Sequence, residues 1–115
     1  MRHLMGQTVC EMPEFTRRAN KVMTAEDKGD FIDYIAHNPK AGEIMKGTGG
    51  VRKVRFARQG QGKSGSYRIL YYYHNQRNPL YLFTVFGKGE RANISKAGRN
   101  GLKTIIRHMK QELRP

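Results

Sequence analysis

At 115 residues, with 37% of them apolar, the chain suffices for one domain around a modest core and leaves little room for a second. A single cysteine excludes an intramolecular disulfide framework, no Cys/His spacing suggests zinc, and no apolar run reaches the length of a signal peptide core or a membrane span. The 22 Lys and Arg against 9 Asp and Glu give a formal charge of +13, so the expectation is a basic protein of a reducing cytoplasm with no bound metal.

The segment QTVCEM, residues 7–12, is a candidate first strand, and Cys10 within it suits a buried structural thiol. PEFTRRANKVM follows, with Pro13 and Glu14 fit for the first turn of a helix. Thr24 opens T-A-E-D, a capping signal, after which Phe31, Ile32, Ile35 and Ala36 form an apolar stripe at helical spacing. Asn38-Pro39 stops that helix. The stretch PKAGEIMKGTGG then reads as a turn-rich connector with room for one helical turn around Gly42 to Met45.

From Val51 the period changes to two. Val54 and Phe56 point one way, Lys53 and Arg55 the other with Val51, which predicts a half-buried strand with a cationic face. YRILYYY (67–73) and LYLFTVF (80–86) are two more strands, joined by the loop HNQRNP, so the three should form an antiparallel meander. Ser95 can cap a last helix in which Leu102, Ile105, Ile106, Met109 and Leu113 make one stripe, with Lys103, Arg107 and Lys110 mostly outside it. Gly98 and Gly101 each weaken that helix by about 1 kcal/mol relative to Ala, so its first turn is either loose or dependent on packing. The predicted order is β-α-α-β-β-β-α, an α+β domain spanning residues 1–115.

Charge follows the same division. Residues 1–50 hold seven basic and seven acidic side chains, whereas residues 51–115 hold fifteen basic ones against Glu90 and Glu112, so the second half carries the whole +13. Such asymmetry favours a polyanionic partner, nucleic acid ahead of an acidic protein or an anionic membrane. ARQGQGKSG (57–65) has the look of a phosphate-binding loop. However, a strand rather than a helix is predicted after it, and Ala57 stands where the strict motif needs its first glycine. No nucleotide is expected; the stretch is a basic hairpin tip whose Lys63 can touch phosphate nonspecifically.

The blocks NPKAGEIMKGTGGVRKVRFARQGQGKSGSYRILYYY and PLYLFTVFGKGERANIS resemble the RelE/HigB family of bacterial toxins, most closely its HigB-like branch, over residues 30–97, with the flanks matching in element order. The resemblance implies a RelE-like fold, in which a small, mainly antiparallel twisted sheet packs on two N-terminal helices, with a C-terminal helix. It further implies a toxin of a type II toxin-antitoxin pair that cuts mRNA in the ribosomal A site, uses no metal or organic cofactor, and is silenced by a cognate antitoxin, expected to carry a helix-turn-helix domain.

In that family Arg68 corresponds to the strand arginine at the scissile phosphate, where its planar fork suits phosphate oxygens better than Lys would. Lys53 and Arg55 correspond to the paired basic residues beside the RNA. Lys88 and Glu90 match a further functional block, in which Glu90 is either a general base or an ion-pair partner. Arg52, Arg58, Lys63 and Arg91 extend the basic surface toward RNA or the ribosome. Tyr72 offers a ring for base stacking, although alternation puts Tyr71 and Tyr73 on one side of the strand and Tyr72 with Arg68 on the other, so at least one pair should be core. Some relatives carry arginine at the place of Gly89 and tyrosine near that of Ser95, so their acid and base assignments do not transfer. Two rivals share these features: a gyrase-inhibiting toxin of the related ParE type, and a noncatalytic RNA- or ribosome-binding module.

Overall fold

In the computed structural model, which describes residues 6–57 and 65–115, the chain opens with strand β1 (Val9–Glu11) and passes directly into helix α1 (Pro13–Val22). Proline at the start of a helix sacrifices no intrahelical hydrogen bond, and Glu14 in the first turn and Lys21 in the last complement the helix dipole. Thr24 caps helix α2 (Ala25–His37) by accepting a hydrogen bond from the Asp27 amide at 3.0 Å.

Where the connector left room for a helical turn, Glu43–Ile44 instead forms a short strand, β2, paired antiparallel with strand β3 (Arg52–Phe56). The intervening loop imposes this. The Met45 amide donates to Val51 O at 2.8 Å, and the buried Thr48 hydroxyl donates to Met45 O at 2.7 Å while accepting from the Val51 amide at 3.0 Å. Gly50, at φ +121°, lies so close to the Tyr72 ring that a Cβ would approach it to 3.2 Å.

Strands β3, β4 (Tyr67–Tyr72) and β5 (Leu80–Phe86) form the expected meander, and Ser95 caps helix α3 (Lys96–Glu112) by accepting from the Gly98 amide at 3.0 Å. The predicted order therefore holds, with β2 added to it. The sheet runs β1-β5-β4-β3-β2, and β1 joins as a parallel partner of β5, Val9 opposite Leu80. Cys10 lies on that edge strand and is only partly buried.

Two cores result, one on each face. On the first, Phe15 and Ala19 of α1 and Phe31 and Ile35 of α2 pack with Val54, Ile69, Tyr71 and Leu82. On the second, Ile106 of α3 packs with Val51, Leu70, Tyr72 and Phe83. A bulge in β5 makes this possible: Leu70 pairs with Thr84 but Tyr71 with Leu82, so the intervening Phe83 is free to join the α3 side. The far end of α3 is held by the β4–β5 loop, where Asn78 donates to Arg114 O at 2.9 Å and accepts from the Arg114 amide at 2.9 Å.

The stripe on α3 is narrower than its sequence suggests. Ile106 is buried and Leu102, Met109 and Leu113 partly so, but Ile105 is 45% exposed. One residue is about 100° around a helix, and a single sheet face covers little more than that width. In the first turn Gly98 leaves room for the Ile94 side chain, whose Cγ2 would lie 2.7 Å from a Cβ there. Accordingly, Ile106→Ala should destabilise the protein by about 2–5 kcal/mol and Ile105→Ala by no more than about 0.5 kcal/mol in urea titrations.

Candidate functional site

The pairing of β3 with β4 sets Arg55 directly opposite Arg68, and Arg68 in turn lies opposite Phe86 on β5. Residues opposite one another in an antiparallel pair have Cβ atoms about 4.5–5.5 Å apart, and Lys53, two positions along β3, points to the same face. Lys53 and Arg55 are exposed and Arg68 is partly so. The α3-side core lies farther along this face, around Leu70 and Tyr72, with Phe86 packed partly against it, while Lys53 and Arg55 stay exposed beside the partly exposed Arg68. Arg68 is steadied by a hydrogen bond from Nη1 to Ser66 O at 3.3 Å. Among the described residues, none of these three cations has a carboxylate within ion-pair distance. Like charges facing each other across a ladder are destabilising, so the row is electrostatically prepared for an anion.

Lys88 and Glu90 stand beyond the end of β5, in the turn Gly87–Glu90 closed by the Glu90 amide to Gly87 O at 3.0 Å. Gly89 has φ +84°, a conformation that L side chains rarely adopt, so glycine suits this turn. Lys88 Nζ sits 5.1 Å from the centroid of the Tyr67 ring, and the Tyr67 hydroxyl donates to the buried Asp27 of α2 at 2.6 Å. Lys88 therefore lies against Tyr67 at the start of β4, whose ring enters the first core, and not in the Lys53–Arg55–Arg68 row itself.

Glu90 Oε1 accepts from the Gly87 amide at 2.6 Å and pairs with Arg18 of α1, whose Nε also donates to Val85 O at 3.1 Å. The Gly87 amide above all holds the Glu90 carboxyl below the usual carboxylate range; desolvation opposes it, and the hydrogen bond and charge of Arg18 add to the lowering. Of the two roles open to Glu90 from sequence, the geometry is that of the ion-pair partner. Arg18 had no signal in the sequence: it lies in the charge-balanced half, 72 residues from its partner.

A family model for the RelE toxin of the RelE/RelB toxin-antitoxin system matches residues 15–114. The chain belongs to the RelE toxin family. It is thus the toxin of a toxin-antitoxin system, membership implies a cognate antitoxin, and RelE toxins are generally endoribonucleases.

Other expected contacts of this RelE toxin are distributed unevenly. Arg91 is exposed just past the Lys88 turn. Arg52 shares the α2 side of β3 with Val54 and donates through Nη1 to Gly42 O at 2.7 Å, so alternation removes it from the cationic face and ties it to the connector. Tyr72 is only 4% exposed, with its hydroxyl 2.9 Å from His74 Nδ1, so it presents no ring for stacking; Tyr71 is buried too, and burial raises both phenol pKa values. Both tyrosines at the end of β4 are core, one in each. Arg58 and Lys63 lie outside the described residues, as does most of the ARQGQGKSG stretch; strand β4 follows it closely, not a helix. Among the described residues no group of His, Cys, Asp or Glu is arranged to hold a metal ion, and no helix is long and apolar enough to cross a membrane.

Two outcomes follow from these charges. Arg55→Gln relieves the like-charge pair and should stabilise the free toxin by about 0.2–1 kcal/mol, a gain that shrinks with added salt in denaturant titrations. The stabilisation from Glu90 is present above the ordinary carboxylate range and is lost as pH falls through the lowered folded-state pKa, so the melting temperatures of wild type and Glu90→Gln should converge in acid.

Proposed function

We propose that the toxin is a metal-independent endoribonuclease that cleaves ribosome-bound mRNA in the bacterial cytoplasm and is neutralised by a cognate antitoxin bearing a helix-turn-helix domain. The observation that carries this reading is the open row of Lys53, Arg55 and Arg68 on one sheet face. Cleavage by the RNA's own 2′-oxygen forms a bond from that oxygen to phosphorus and breaks the bond to the 5′-oxygen. The steps are loss of the 2′-proton, stabilisation of negative charge on the phosphoryl oxygens, and protonation of the departing 5′-oxygen.

The cationic row answers the second requirement. Arg68, on the central strand and with one guanidinium nitrogen, Nη1, oriented by Ser66 O, is suited to bind the scissile phosphate through its remaining N–H groups, with Lys53 and Arg55 neutralising the charge that develops there. Lys88 adds a cation at the end of the sheet, and Arg91 extends the basic surface beside it. The ribosome supplies substrate positioning that so shallow a face lacks, which is why activity on free RNA should be weak.

Arg68→Ala should lose growth arrest on induction and lower mRNA cleavage on ribosomes by about 100- to 1,000-fold, the scale of removing one donor to a developing charge. Mapping of mRNA ends checks the cleavage. Full toxicity in Arg68→Ala would rule out this site, and loss of DNA supercoiling activity with intact translation would favour gyrase as the target.

A further inference from the structure

Glu90 is almost alone as a carboxylate in the basic half, and its carboxylate has two partners. It accepts from the Gly87 amide, which closes its own turn. It pairs with Arg18, and Arg18 binds Val85 O in the last turn-ward part of β5. Arg18 rides on α1 between the buried anchors Phe15 and Ala19, so the turn is fastened to the core of the opposite sheet face. Gly87 fits tightly there: an added Cβ would lie 3.1 Å from Glu90 Oε1 and 3.1 Å from Val22 Cβ. On the other flank, Lys88 Nζ rests over the Tyr67 ring, and Asp27 of α2 holds the Tyr67 hydroxyl.

We propose that Arg18 and Glu90 are a positioning pair, which fixes the Gly87–Glu90 turn so that Lys88 is registered to the strand that carries Arg68, and that Glu90 is not the proton acceptor of the reaction. An exposed ion pair by itself contributes little stability. What this pair supplies is geometry, because two donors, the Gly87 amide and Arg18 Nη2, meet on one carboxylate oxygen while Arg18 Nε holds Val85 O, and together they tie a four-residue turn to both a strand and a helix. A carboxylate already accepting a backbone amide and a guanidinium is also a weak base toward a ribose hydroxyl. Both helices of the first face thereby reach past the sheet end: α1 through Arg18 and α2 through Asp27 and Tyr67.

The catalytic consequence rests on the nuclease reading, and the structural one does not, so two readouts separate them. Backbone relaxation of the free toxin should show lower order parameters at Gly87, Lys88 and Gly89 in Glu90→Ala and Arg18→Ala, with order in α3 unchanged. On ribosomes, both variants should lose about 10- to 100-fold in kcat with little change in KM, the scale expected when a reacting group is misplaced. Lys88→Ala should show a similar loss, and adding Glu90→Ala to it should cost nothing more. Glu90→Gln should keep the acid limb of the wild-type pH-rate profile. Unchanged order at the turn overturns the clamp. Additive losses in the double variant, or an acid limb abolished by Glu90→Gln, overturn the positioning role in favour of proton transfer. If wild type itself cleaves no mRNA, the nuclease reading falls, and the order parameters still decide the clamp.

Discussion

Strand β4 has to satisfy two cores at once, and most of the molecule is arranged around that demand. Tyr67, Ile69 and Tyr71 enter the core under α1 and α2, while Leu70 and Tyr72 enter the core under α3. Each fully buried apolar side chain contributes about 1.5–3 kcal/mol relative to exposure, so a strand buried on both faces is a large share of what makes so small a domain stable. Arg68 interrupts this pattern. It occupies the second-face position nearest the strand's start, partly exposed, and its place in the register lines it up with Arg55.

The cationic row is thus the part of a sheet face that is not fully covered. Helix α3 is held over Leu70, Tyr72 and Phe83 by Ile106, by the bulge that admits Phe83 and by the grip of Asn78 on Arg114. The glycines before β3 bring their loop against Tyr72 and Ile106, closing the same core from the other side. What remains is a shallow cationic row whose mutual repulsion works against the folded state, a cost expected where binding an anion matters more than stability. The polar contacts at the sheet end have a different origin, since they come from the helices of the far face through Arg18 and Asp27.

Much of this was legible because alternation and helical spacing report which side of an element is apolar. Val54 and Phe56 against Lys53 and Arg55 was read correctly, and so was the capping of α2 by Thr24 and of α3 by Ser95. Alternation alone, however, says nothing about which of two faces is covered. Tyr72 has the composition of a stacking residue, yet it is core because α3 lands on its face. Ile105 looked equivalent to Ile106, and only the width of the contact separates them. Arg52 stood beside Lys53 in a basic run and is turned to the other side by the same alternation that exposes its neighbour. The strand β2 was hidden in a two-residue segment, too short to carry a periodic signal.

By itself the sequence determined the local elements, the division of charge between the two halves, and the placing of Lys53, Arg55 and Arg68 on strands, because these depend on neighbours within a few residues. The tertiary structure alone decided that Arg55 faces Arg68, that β1 closes the sheet beside β5, and that Glu90 is claimed by Arg18. Those outcomes are long-range: they depend on strand register, on which helix covers which face, and on a side chain 72 positions away, none of which leaves a periodic trace along the chain.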